Sequence, residues 1–246
     1  LEAKGMKIEL NKIYNMDCMD LMKEMNNNSV DMVITSPPYN IANTSPSFRK
    51  YNNGDEYTDS LSQNDYYEWS CKIIDELLRV SKIVFYNIQF LSGNKISLLR
   101  MLGRYANNIK DIIIWKKYPS LPAMHEKVLN ADFEFVIILD KDGTGRTIEQ
   151  ANFKRGSLSN VWEIGRNNIS TNSHGAAFPH NIPDRIIRYY THPTDIVFDP
   201  FLGTGTTVIS CIKYNRSYIG TEISKKYFDY AYKNIENAKK QCKLFT

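Results

Sequence analysis

The sequence has no apolar run approaching the roughly 20 residues that a membrane-spanning helix needs. Its longest, such as Phe135 to Leu139 and Ile112 to Trp115, stop far short, and a soluble protein is expected. It does not open on a basic segment followed by apolar and then small residues, so a secretory route is not expected. Leu1 to Gly5, ahead of Met6, read as an expression remnant. Cysteine is scarce. Cys18, Cys71, Cys211 and Cys242 stand far apart with no Cys-x-x-Cys pair, which signals neither a zinc site nor a disulfide framework and fits reduced residues of a cytoplasmic protein. His125, His174, His180 and His192 are dispersed without a His-Glu-x-x-His pattern, so no metal is expected. Neither sign of charge dominates: 31 basic against 27 acidic side chains leave +4, which permits contact with a polyanion without demanding it. With 42% hydrophobic and 24% charged residues among 246, disordered and fibrous classes are excluded and a single domain over 1–246 is expected.

What is present is an alternation of short apolar strands with amphipathic helices, the rhythm of an α/β fold with a mostly parallel sheet. Seven strands are expected: Ile8 to Leu10, Val30 to Ile34, Ile83 to Asn87, Ile112 to Trp115, Phe133 to Leu139, Ile196 to Phe198 and Ser217 to Thr221. Between the second and third, Tyr66, Trp69, Ile73, Leu77 and Val80 recur at helical spacing behind polar Ser62 to Asp65, which predicts an amphipathic helix with a capped start. Another helix is expected from about Ser224, with Phe228, Ala231, Tyr232, Ile235 and Ala238 as its apolar stripe. Its lysines, Lys225, Lys226, Lys233, Lys239 and Lys240, read as a solvated face rather than a nucleic-acid stripe. Two stretches break the rhythm, Asn40 to Asp65 and Lys141 to Ser173. Both read as long loops and as the places where substrate contacts are expected.

The strongest local signal is the strand from Val30 that runs into Ser36-Pro37-Pro38-Tyr39. Consecutive prolines stop the strand and forbid a helical hydrogen-bond ladder, fixing the backbone at the strand's carboxyl end. Such a corner can hold the Ser36 hydroxyl, the Pro37 carbonyl and the Tyr39 ring together with little entropy left to lose. Two acceptor oxygens beside a flat ring suit a planar ring that bears an amino group. Far downstream a second strand empties into Asp199-Pro200-Phe201-Leu202-Gly203-Thr204-Gly205-Thr206-Thr207. The glycines permit close backbone approach, and a helix amino end presents unpaired N–H groups. The third glycine of a dinucleotide fingerprint is missing, because Val208 stands there, and so is the Gly-Lys-Ser/Thr of a phosphate loop. Glu222, at the end of the next strand, can accept both hydroxyls of a ribose.

These residues resemble the S-adenosylmethionine-dependent amino methyltransferases of DNA, which modify cytosine N4 or adenine N6. Ser36-Pro37-Pro38-Tyr39 is similar to their catalytic motif, and Asp199 to Thr207 to their cofactor motif. The catalytic motif coming first resembles the circularly permuted β class. The resemblance covers nearly all of Met6 to Asn237 and is weakest from Tyr118 to Thr171. It implies a Rossmann-like class I methyltransferase fold with helices on both faces of the sheet, S-adenosylmethionine as cofactor, and double-stranded DNA as partner. It also implies a prokaryotic or phage-infected cell, a cognate restriction endonuclease, and a homodimer. Asp17 and Cys18 lie in the segment that would meet the cofactor's adenine, and Phe178, Pro179 and His180 in the run that would close over its methionine end. Asp199, Pro200, Phe201, Gly203, Gly205, Thr206 and Glu222 complete the implied cofactor set. Residues 118–173 are the expected target-recognition region, and Arg49, Lys50, Arg146, Lys154 and Arg155 the expected phosphate contacts.

The chemistry asks the protein mainly to align an exocyclic amino nitrogen with an already activated methyl. Hydrogen bonds from that amino group to Ser36 and the Pro37 carbonyl would favour a pyramidal nitrogen with its lone pair aimed at the methyl. The proton lost comes from a cationic product, so no strong base is needed. In a duplex the base must first swing out, at a cost of a few kcal/mol; stacking on Tyr39 would return about 1 to 3 kcal/mol. Serine at the first motif position, as Thr35-Ser36-Pro37-Pro38-Tyr39, and the Phe178-Pro179…Pro183 run resemble the cytosine-N4 branch. Adenine N6 on the same scaffold is the alternative, and a non-catalytic DNA-binding subunit is a second. RNA or protein methylation is disfavoured by motif order. Cytosine C5 chemistry needs a nucleophilic cysteine, usually after proline, and no Pro-Cys pair occurs.

Overall fold

The computed structural model describes residues 6–41, 59–123, 126–143, 145–165 and 179–243. Among these, eight strands form one sheet: β1 (Lys12–Tyr14), β2 (Val30–Thr35), β3 (Ser81–Ile88), β4 (Ile109–Tyr118), β5 (Phe133–Asp140), β6 (Val161–Gly165), β7 (Ile196–Asp199) and β8 (Ser217–Thr221). Their order is β1-β8-β7-β2-β3-β5-β4-β6. Every pairing is parallel except those of β5, which runs antiparallel to β3 and β4.

Helices α1 (Cys18–Glu24), α2 (Gln63–Val80) and α3 (Lys95–Arg104) cover one face of the sheet, and α4 (Asn181–Tyr190), α5 (Thr206–Lys213) and α6 (Lys225–Lys243) the other. The central strands are buried on both sides, so they read as apolar runs rather than alternating ones. Val33 packs with Leu21, Ile74 and Leu77 under α1 and α2, while its neighbours Met32 and Ile34 pack with Ile186, Val208 and Ile235 under α4, α5 and α6. Each such buried aliphatic contributes about 1.5 to 3 kcal/mol. Helix α2 begins where its sequence predicts, with the Ser62 hydroxyl accepting from Asp65 N at 3.1 Å.

The expectation of an α/β sheet with helices on both faces holds, with corrections in detail. The first strand is not Ile8 to Leu10 but Lys12–Tyr14, because Leu10 and Asn11 form a turn and Asn11 takes a left-handed φ of 61°. An eighth strand, β6, lies inside the stretch read as a glycine-punctuated loop. Its Trp162 and Ile164 point inward between exposed Val161 and Glu163, a period of two that the neighbouring glycines mask. In α6, Tyr232 is 54% exposed and lies outside the buried stripe of Ala231 and Ile235.

Strand order positions the site. From β7 the chain crosses over through α5 to β8, on one side; from β2 it crosses through α2 to β3, on the other. Since β2 and β7 are neighbours, with Met32 opposite Val197 and Val33 opposite Phe198, the crevice above their carboxyl ends is the topological switch point, where open α/β sheets bind ligands.

Candidate active site

Ser36 to Tyr39 leave β2 directly into that crevice. Pro37 is buried and Ser36 half-buried. The corner is held from below by three side chains. Tyr66 of α2 donates to the Pro38 carbonyl at 2.6 Å, Asn94 donates to the Tyr39 carbonyl at 3.0 Å, and buried Asn40 donates to the carbonyls of Leu61 and Gly93 at 2.8 Å each. Asn40 sits at a left-handed φ of 61°, a conformation that asparagine tolerates better than most residues. The rigidity anticipated from two prolines is thus completed by an asparagine turn.

The Tyr39 ring does not end in solvent. Its hydroxyl lies 2.9 Å from Ser36 Oγ and donates to Glu134 Oε2 at 2.9 Å. Asn87, from β3, donates to the same Tyr39 oxygen and, at 2.8 Å, to Glu134 Oε2. Lys117, from β4, donates to Glu134 Oε1 at 3.1 Å. Burial and the adjacent Glu134 charge push the Tyr39 hydroxyl pKa well above its ordinary value, so it stays protonated. Asn87, Lys117 and Glu134 were not anticipated from the sequence. The available signal was the presence of charged residues inside otherwise apolar strands, Lys117 in β4 and Glu134 between Phe133 and Phe135.

The glycine motif follows β7. Asp199 is 1% exposed and accepts from Thr35 Oγ1 and from Phe201 N, both at 3.1 Å. Thr35 immediately precedes Ser36, so this bond ties the two motifs side by side across 164 residues of sequence. Burial raises the Asp199 pKa to about 6, against the hydrogen bonds from Phe201 and Thr35 that lower it. Asp199 therefore faces Thr35 and Phe201 as a clamp; it does not reach the open cleft. Pro200 is buried beside it, and Phe201 leans on Trp69 of α2 at 5.8 Å between ring centroids. Gly203 and Gly205 take φ of 53° and 86°, turning the chain into α5 at Thr206.

Glu222, just past β8, reaches back over this turn: Gly203 N donates to Oε2 and Ser224 N to Oε1, each at 2.9 Å. The end of β1 lies alongside, with Glu222 N donating to the Tyr14 carbonyl at 3.0 Å and Asn15 Nδ2 to the Glu222 carbonyl at 2.8 Å. Three residues past Tyr14, exposed Asp17 caps α1 by accepting from Met19 N at 2.7 Å. Cys18 is buried within that helix and its thiol pKa rises to about 12, so its contribution is packing. Pro179 is buried and His180 half-buried at the start of α4. Burial lowers the His180 pKa against the opposing charge of Asp184. Phe178, and Arg49 and Lys50, lie outside the described residues.

Two carboxylates, Asp17 and Glu222, beside a glycine turn repel a pyrophosphate and suit hydroxyl and amino groups, so the donor set fits an unphosphorylated nucleoside. Among the described residues no group of three or more His, Cys, Asp or Glu side chains could hold a metal ion, and no helix is long and apolar enough to cross a membrane.

Of the expected phosphate contacts, Arg146, Lys154 and Arg155 are described, and they do not gather here. Arg146 pairs with Asp111 near the start of β4, at the amino edge of the parallel strands and opposite the corner. Lys154 and Arg155 follow Asn152, whose N–H bonds the carbonyl of Tyr189 at the far end of α4, also away from Ser36. A strand of six residues spans about 20 Å, so these cations sit roughly that far from the switch point.

A doubly wound sheet carrying a Ser-Pro-Pro-Tyr corner and a Gly-x-Gly turn at one switch point is the architecture of the class I methyltransferases. The family profile described as DNA methylase matches residues 30–233, and the chain belongs to that N6/N4 family: it is a DNA methyltransferase. It is 31% identical to the Type II methyltransferase M.BglII of Bacillus subtilis over 92% of this chain and 69% of that protein. It is 28% identical to the Type II methyltransferase M.HpaI of Haemophilus parainfluenzae over 88% and 71%. In fold it is similar to PvuII DNA methyltransferase (cytosine-N4-specific), with a TM-score of 0.71 at 18% identity over 93% of this chain and 91% of that one. It is similar also to M1.HpyAVI in complex with SAM, with a TM-score of 0.62 at 23% identity over 91% and 98%.

Proposed function

We propose that this DNA methyltransferase modifies the exocyclic N4 of a cytosine swung out of the duplex, with S-adenosylmethionine as methyl donor. The observation that carries the reading is the Thr35 to Asp199 hydrogen bond, which puts the serine corner and the glycine turn on either side of one crevice. S-adenosylmethionine supplies a methyl group already bonded to a good leaving group. Glu222 and Asp17 accept from the hydroxyl and amino groups of its nucleoside, and Gly203 and Gly205 let the backbone pass close to it. Opposite, Ser36 Oγ and the Pro37 carbonyl accept the two amino hydrogens of the target base. A nitrogen so held turns its lone pair away from the ring and toward the donor. The cytosine assignment rests on serine at the first motif position, within Thr35-Ser36-Pro37-Pro38-Tyr39.

Target reading is assigned to approximately residues 118–173. The described part of this region includes the hairpin between β4 and β5, which leaves the sheet at the same edge as Ser36 and carries exposed Leu121, Val128 and Leu129. A restriction endonuclease of matching specificity is the proposed functional partner, in keeping with relatives named as Type II methyltransferases. Digesting plasmid from expressing cells to nucleosides and identifying the modified one by mass tests the reading. N4-methylcytidine is expected; methyladenosine alone would retire the cytosine assignment.

A further inference from the structure

The hydrogen-bond chain behind the corner has a direction, and its far end fixes it. We propose that Glu134, anchored by Lys117, orients that chain so that the Ser36 hydroxyl meets the target amino group as an acceptor only; the proposal rests on the role given to Ser36 above. Glu134 and Lys117 are nearly closed to water, at 11% and 4% side-chain exposure. Three donors converge on the carboxylate: Lys117 Nζ at 3.1 Å, Tyr39 OH at 2.9 Å and Asn87 Nδ2 at 2.8 Å. A carboxylate has no proton to return, so the single phenolic proton of Tyr39 goes to Glu134. Toward Ser36 Oγ, 2.9 Å away, the Tyr39 oxygen is then an acceptor, and it accepts from Asn87 as well. The Ser36 proton must therefore point at Tyr39; Asn87 Nδ2, 3.4 Å away, donates to one serine lone pair, and the other is left to accept from the base. Without the carboxylate the phenol can turn its proton to Ser36. The serine proton then turns outward, a donor facing the N–H donors of the base. Glu134 touches no substrate, so it is a positioning residue.

Single-turnover methylation of a target duplex tests this with E134Q, Y39F, S36A and the double variant S36A/E134Q, alongside cofactor affinity by calorimetry and DNA affinity by fluorescence anisotropy. E134Q and Y39F are each expected to slow methyl transfer roughly 10- to 100-fold, the loss of one charge-assisted hydrogen bond, with both affinities within about twofold of wild type. On the S36A background, E134Q is expected to cost nothing further, because the group it orients is gone. Since E134Q takes the carboxylate charge from a buried lysine, the neutral pair K117M/E134Q is measured too and should be as slow as E134Q. Wild-type rates in E134Q or in K117M/E134Q would overturn the proposal, as would an equal loss on both the Ser36 and S36A backgrounds. The cytosine reading fails separately, on the wild-type product: methyladenosine there removes that assignment while these rate ratios still decide the role of Glu134.

Discussion

Asp199 carries its charge almost out of contact with water, and two hydrogen bonds at 3.1 Å only partly offset the burial. Its folded pKa of about 6 lies above the ordinary 3.8. The folded chain therefore holds a proton there between these values that the unfolded chain has released, and this group's contribution to stability declines as pH rises through that window. Asp199→Asn should remove the dependence: relative to the variant, wild type gains on the order of 2 to 3 kcal/mol between pH 7 and pH 4, read from urea unfolding of both proteins at each pH. An unchanged difference would mean that the carboxylate is not buried in solution. Gly205, at φ 86° and with a Cβ position 3.4 Å from Ala231 and Ile235, bears on the other half of the crevice. Valine there is strained whatever the space, and Gly205→Val should weaken S-adenosylmethionine binding at least 10-fold by calorimetry. Tyr39→Ala, by contrast, should slow methylation and spare cofactor affinity; the reverse pattern would exchange the two sites.

Strand β6 shows how an element escapes a reading by pattern. Five residues, Val161–Gly165, lie beyond Gly156 and next to unpatterned sequence, and only the pairing of Trp115 with Trp162 and Lys117 with Ile164 makes them a strand. Its anchor is Trp162, 1% exposed, with Nε1 donating to the Ser159 carbonyl at 2.7 Å. Trp162→Ala should cost about 3 to 5 kcal/mol, visible as a lowered urea midpoint, and should loosen the edge that supports Lys117. A change within 0.5 kcal/mol would mean that β6 is not part of the folded core. Helix α2 is the opposite case, legible from Ser62 to Val80 because its cap and its apolar spacing agree before any tertiary contact forms.

At the scale of the molecule, the serine corner and the glycine turn meet at the carboxyl edge of the sheet, and the cations of Arg146, Lys154 and Arg155 lie at the other edge. Replacing Lys154 and Arg155 together by alanine should leave the salt dependence of DNA binding unchanged; a slope reduced by about 2 would show that both meet phosphates. The sequence alone determined the two motifs, their order, the central strands and the capped helix. Each of these is written in local chemistry: proline stops, positive-φ glycines and apolar periodicity. Only the tertiary structure decided that Thr35 meets Asp199, that Asn87, Lys117 and Glu134 stand behind Tyr39, and that Arg146, Lys154 and Arg155 lie at the opposite edge. Those relations depend on which strands become neighbours, and that is set by burial summed over the whole sheet, which no short window of sequence contains.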